Sequence, residues 1–174
     1  MKIYTCRICG EVYIGKDAPP SCPFCGAASK YLVMASAWKD ENIGVEPTEA
    51  EKENLKKALD LEMSNTSFYR CIAKTIDNIE IAKMFKGLAK VEAEHAQVYQ
   101  KLLKLEQLPE VNETCTSDIK ECLANSLARE KRATEFYQKA LAEATTERVK
   151  TVFEAIMNVE KDHIELDEKI SKKY

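Results

Sequence analysis

Glu62, Tyr69, Glu92 and His95 return in the same order as Glu130, Tyr137, Glu160 and His163, each displaced by 68 residues. Apolar positions keep that displacement: Leu55 and Leu123, Leu59 and Leu127, Phe68 and Phe136, Phe85 and Phe153, Val91 and Val159. One hairpin is therefore written twice, and the fold must bring the two copies together. The period is helical, with Leu55, Leu59 and Met63, then Met84, Leu88 and Val91, then Val152, Ile156 and Val159 on single faces.

Four helices are predicted, at roughly 49–76, 79–105, 117–143 and 146–172. Thr48-x-x-Glu51 is a capping box that starts the first. Asp77-Asn78 and Thr145-Thr146 mark short turns, and Pro109 lies in the longest gap, residues 106–116. Glu62 and Glu92 are each 15 residues from position 77, as Glu130 and Glu160 are from position 145. Residues equidistant from the turn of an antiparallel hairpin share one height, so all four glutamates can meet near mid-helix. Such helices are about 40 Å long. The gap stretches to roughly 35–40 Å. Both an end-to-end crossover and a plain up-down bundle stay open.

Both histidines of the chain close a Glu-x-x-His. Glu and His three apart lie on one helix face. Two such helices, with one glutamate from each of two others, form the ligand set of a carboxylate-bridged di-metal site. Glu92 with His95 and Glu160 with His163 can each bind one ion, while Glu62 and Glu130 complete or bridge the pair. Tyr69 and Tyr137 lie two turns beyond Glu62 and Glu130, placed to hydrogen-bond carboxylate ligands. One pair alone would read as solvated helix charge; two in register, using both histidines, do not. Glu94 and Asp162 keep the offset but point about 100° away from the histidines and read as solvated. Carboxylate and imidazole suit iron, manganese or zinc. The oxygen-rich donor set and the cysteines below favour iron.

Cys6-x-x-Cys9-Gly10 and Cys22-x-x-Cys25-Gly26 are two knuckles giving a tetrahedral thiolate site for iron or zinc. Each glycine fits a tight turn that leaves backbone N–H groups near sulfur. These cysteines define a first module, residues 1–34; residues 35–48 read as a linker and 49–174 as the bundle. Three of the five glycines and three of the five prolines fall before residue 27, so helix should dominate after about residue 48.

A net charge of −3 and a pI near 5.6 argue against a nucleic-acid face. No apolar run reaches the roughly 18 residues of a membrane span, and Met1–Cys6 has no leader-like apolar core. The expected location is cytoplasmic, where seven cysteines point to metal ligation rather than disulfides. Cys71 and Cys122 read as small core residues and Cys115 as a loop residue, none catalytic.

The knuckles resemble rubredoxin in its short form, and the bundle resembles the ferritin-like domain of rubrerythrin. The module order, Trp38 to Val45 after the knuckles, and Glu130-Lys131-Arg132-Ala133 resemble the "reverse" rubrerythrins. The resemblance implies a mainly α fold: a ferritin-like four-helix bundle preceded by a small rubredoxin-like metal-binding module. It implies a non-haem di-iron peroxidase that reduces hydrogen peroxide to water in oxidative-stress defence. Electrons would come from NAD(P)H through a separate reductase and an FeS4 site. Homodimers are implied, with one subunit's rubredoxin module near the other's di-iron site. Carried across, Cys6, Cys9, Cys22 and Cys25 bind one iron; Glu62, Glu92, His95, Glu130, Glu160 and His163 bind two and are catalytic. Zinc can substitute. Typical members add a seventh, exchanging glutamate; Asn65 and Ala133 stand where it would be.

Two other functions fit parts of the chain. An iron-oxidising, iron-sequestering protein shares the six ligands but leaves the cysteines unexplained. A zinc ribbon on a helical sensor bundle would have no turnover. Dioxygen is an alternative oxidant to peroxide.

Overall fold

The computed structural model describes residues 1–174. Its four helices are α1 (Glu49–Thr75), α2 (Ile79–Leu103), α3 (Ile119–Glu143) and α4 (Glu147–Ser171), within two residues of the expected limits. Thr48, Asn78 and Asp118 each accept a backbone N–H of the first turn of α1, α2 and α3. Those side chains satisfy donors that a helix start leaves unpaired.

Cross-helix contacts fix the topology. Asn54 of α1 donates to Glu143 of α3 at 2.8 Å. Arg129 of α3 reaches Ser64 and Asn65 of α1. Low α1 numbers thus meet high α3 numbers, so α1 and α3 are antiparallel and α2 and α3 parallel. Residues 104–118 must run the length of the bundle, which is the single long crossover of ferritin-like folds. The crossover is pinned along α1: Glu113 receives Ser64 Oγ at 2.6 Å and its N–H donates to Ser67 Oγ at 2.9 Å.

The crossover also overturns one expectation. It carries Cys115 to Cys71, and the two form a disulfide. The expectation of metal ligation rather than disulfides therefore holds for neither. Cysteine spacing could not show the pairing while the path of the crossover was open. Cys122 is a fully buried core residue, as expected.

Glu51 belongs to more than its own capping box. Besides the N–H of Thr48, its carboxylate accepts the N–H groups of Thr145 and Thr146 at 2.8 and 2.7 Å and the Thr146 hydroxyl at 2.7 Å. It ties the start of α1 to the start of α4. Burial works against its charge, but these donors outweigh burial and hold its pKa down at about 2. The stability it contributes is present above about 4.5 and lost as pH falls through about 2. Glu51→Ala should cost about 2–3 kcal/mol at pH 7 in urea unfolding, with the gap to wild type closing in acid.

The first module is a three-stranded antiparallel sheet ordered β2 (Val12–Gly15), β1 (Lys2–Cys6), β3 (Leu32–Met34). Gly10 and Gly26 adopt φ of +87° and +75° and donate back to the carbonyls of Cys6 and Cys22, both at 2.9 Å. Gly26 has a second reason to lack a side chain: a Cβ there would lie 2.7 Å from Val159 Cγ1 on α4. The knuckle therefore packs directly on the bundle.

Arg148, which is buried on α4, secures that packing. It donates to the Ile8 carbonyl at 3.1 Å and to Asn42 at 2.9 Å, and pairs with Glu41 at 3.5 Å. Burial lowers its pKa, opposed by Glu41 and Asp40. Residues 35–48 thus hold the module in place as well as joining it to the bundle.

Candidate metal centres

The four thiols of the module are buried, with Sγ–Sγ distances of 3.8 Å for Cys6–Cys25 and for Cys9–Cys22. The N–H groups of Ile8 and Glu11 point at sulfur, at 3.4 and 3.5 Å. Shared hydrogen bonds lower the pKa of Cys6 and Cys22 and raise that of Cys9 and Cys25, so the thiols alone cannot all ionise. A cation at their centre removes the conflict. Four convergent sulfurs with backbone donors fit one iron or zinc ion.

The second centre lies in the bundle, where helical spacing turns one face of each helix inward. Glu62, Glu92, His95 and Glu160 form one cluster of potential ligand atoms. Glu92, Glu130, Glu160 and His163 form the other. In each cluster the ligand atoms lie within 4.8 Å of one another. Glu92 and Glu160 belong to both clusters and would be the ligands shared by two ions, while Glu62 and Glu130 each belong to one. Nδ1 of His95 is 3.1 Å from Glu92 and 3.2 Å from Glu160; Nδ1 of His163 is 3.2 Å from Glu92 and 3.3 Å from Glu160.

These groups need positive charge. All four glutamates are at most 1% exposed. Oxygens of each, and Nδ1 of His163, have no hydrogen-bond partner. Burial, then repulsion from Glu160 and Glu92, raises the pKa of Glu62 well above the usual range; burial with Glu92 and Glu160 does the same to Glu130. Burial works to lower both histidines, but the carboxylates outweigh it and raise them. Without metal, protons on Glu62, Glu130 and the two histidines must balance the charge of Glu92 and Glu160, whose pKa values burial works to raise but the histidines lower. Two divalent ions fit the donors and would supply that positive charge in place of the protons.

Both tyrosines touch the centre, by a crossed arrangement. Tyr137 donates to Glu62 and Tyr69 to Glu130, each in the opposite hairpin. Each phenol thus holds a terminal carboxylate of the other copy. Ser126 donates to Tyr69 at 3.2 Å. Asn65 is held by Arg129 and Ala133 is buried, so neither provides a seventh ligand. Asp162 is exposed as expected, whereas Glu94 is half-buried and burial raises its pKa.

One contact and one residue at the centre were not legible in the sequence. The His95 ring nitrogen Nε2 lies 2.9 Å from the Cys25 carbonyl, linking a residue of each centre. No pattern within one helix reveals that contact. Asp167, one turn beyond His163, is fully buried with neither oxygen hydrogen-bonded. Its counterpart in the first hairpin is Tyr99, so the repeat gave no signal.

Burial pushes Asp167 up to about 6 from an ordinary 3.8. Its folded form is favoured below about 3.8 and penalised as pH rises through about 6. Asp167→Asn should therefore gain about 1–3 kcal/mol at pH 7 in urea unfolding, with little gain at pH 4.

A buried carboxylate–imidazole pair of clusters in a ferritin-like bundle, beside a four-cysteine module, defines a metal-binding protein of the rubrerythrin class. The Rubrerythrin family model matches residues 53–171, and the model for the rubrerythrin rubredoxin-like domain matches residues 4–32. The chain belongs to the rubrerythrin family. It is 34% identical over 113 residues to Reverse rubrerythrin-1 of Clostridium acetobutylicum, covering 59% of this chain and 62% of that protein. The chain thus matches less than two thirds of that relative's length.

Two solved structures share the fold. A hypothetical protein from Pyrococcus furiosus superposes with a TM-score of 0.60 at 19% identity, over 70% of this chain and 88% of that one. A manganese catalase from Anabaena gives 0.59 at 18% identity, over 78% and 79%. No helix is long and apolar enough to cross a membrane.

Proposed function

We propose that the protein is a non-haem di-iron peroxidase that reduces hydrogen peroxide to water, with electrons relayed through an FeS4 site, in oxidative-stress defence. One observation carries this reading: the 2.9 Å contact between His95 Nε2 and the Cys25 carbonyl. It joins the four-cysteine site to the carboxylate site within a single chain, an arrangement that iron storage or a static zinc ribbon does not require.

The proposed ligands are Cys6, Cys9, Cys22 and Cys25 for one iron, and Glu62, Glu92, His95, Glu130, Glu160 and His163 for two. A redox-active metal pair supplies the two electrons that, with two protons, turn one peroxide into two waters. The chain does the rest. Burial raises the pKa of Tyr69 and Tyr137 well above the usual range, so both stay protonated and donate to Glu130 and Glu62. The Cys25 carbonyl keeps the proton of His95 on Nε2 and turns Nδ1 to the carboxylates. The dry core strengthens each of these polar contacts.

We assign residues 1–34 to the electron relay, 35–48 to the connection and 49–174 to the reaction. The contact within one chain favours a relay inside each subunit. A homodimer in the cytoplasm, fed from NAD(P)H by a separate reductase, completes the proposal.

Given peroxide and no donor, the iron-loaded protein should release no dioxygen, and the anaerobically reduced protein should lose two electrons per peroxide. Dioxygen release at one per two peroxides in the absence of a donor would assign a catalase instead.

A further inference from the structure

Five of the six side chains at the carboxylate centre are at most 1% exposed; His163 is 7% exposed. His163 lines a cavity of about 650 Å³ that opens between α2, α4 and the second cysteine knuckle. Phe24 and Leu166 form part of its apolar wall, and its charged lining is the three exposed cations Arg70, Lys83 and Lys90 against one half-buried carboxylate, Glu94. Gly87 forms part of the α2 side.

A glycine inside a helix is unfavourable by about 1 kcal/mol relative to alanine. Nothing in the packing demands one here, because a Cβ on Gly87 would meet no atom within 4 Å. A large side chain here would project along the α2 side of the cavity, where Gly87 leaves open space. His95, at the other end of the centre, is sealed by the Cys25 carbonyl.

We infer that this cavity is the port through which a small oxidant reaches the carboxylate centre, arriving on the His163 side. Its substrate class is a neutral or singly charged molecule of two or three heavy atoms. Apolar walls admit neutral species, and the cationic rim concentrates anions. Electrons then enter at His95 and the oxidant at His163, so the two flows use opposite ends of one centre. The identity of the oxidant rests on the peroxidase reading, but the position of the port does not.

The test uses azide as the probe and follows its binding to the diferric protein by stopped-flow absorption. Gly87→Phe fills the port and should slow azide binding about tenfold or more, with a thermal midpoint no lower than that of the wild type. Ala124→Phe adds the same bulk at an exposed position on α3 and should bind azide at the wild-type rate. If Gly87→Phe does not fold, Gly87→Leu makes the same test with less bulk. Azide binding at the wild-type rate in a folded Gly87 variant would overturn the port.

Peroxide consumption, measured in parallel, separates the two proposals. Slowed azide binding with no peroxide turnover in either protein would keep the port and remove the peroxidase. Unchanged azide binding with normal turnover would do the reverse.

Discussion

Glu92→Ala should abolish peroxide turnover, by roughly 100-fold or more, and leave the visible absorption of the cysteine site intact. Glu92 is the natural choice because it belongs to both ligand clusters and contacts Nδ1 of both histidines. Removing a group that merely supports a ligand costs 10–100-fold in metal affinity or activity, so removing a bridging carboxylate should cost at least the upper end of that range. The bundle should still fold, because the apolar faces of the four helices stay buried around the site. Metal analysis of the purified variant, with peroxide consumption and the FeS4 spectrum, checks all three points. Unchanged turnover would remove the carboxylate centre from the reaction.

Gly26→Ala should uncouple the two centres while leaving each able to bind metal. At φ +75° an alanine is strained by about 1–2 kcal/mol. Its Cβ would also press to 2.7 Å from Val159 Cγ1, so the knuckle must lift off α4. The preceding residue, Cys25, carries the carbonyl that meets His95. Electron passage from the cysteine site should slow roughly 10–100-fold, the usual cost of losing an outer partner of a ligating histidine. Single-turnover reoxidation of the FeS4 site by peroxide measures this directly. A wild-type rate in a variant with both sites loaded would mean that electrons take another path.

Much of this architecture was legible in the sequence because the repeat is written in both polar and apolar residues. Glu62, Glu92, Glu130, Glu160 and the two histidines share the 68-residue offset with the hairpin cores, so helix, height and inward face followed together. The knuckles were legible because Cys-x-x-Cys-Gly sets both ligand spacing and turn.

What was not legible lay between elements. The connection between α2 and α3 fits two topologies by length, and the run of residues 104–118 beside α1 decides between them. Only that path brings Cys115 to Cys71. Spacing along one helix placed Tyr69 beyond Glu62, but its hydroxyl meets Glu130 across the bundle. Arg148 and Asp167 are not repeated at the offset; they were invisible to the signal that revealed the ligands. Both mark where the two halves differ: one docks the cysteine module, the other is a bare carboxylate in the core.

The central claim is that electrons pass from the four-cysteine site through the carboxylate centre to peroxide. Anaerobically reduced, iron-loaded protein mixed with one equivalent of hydrogen peroxide, followed at the ferric FeS4 absorption by stopped flow, tests it most directly. The colour should return rapidly, and much faster than in the His95→Ala, His163→Ala double variant. No return, or return at the rate of that variant, would contradict the claim and bring iron handling or dioxygen reduction forward.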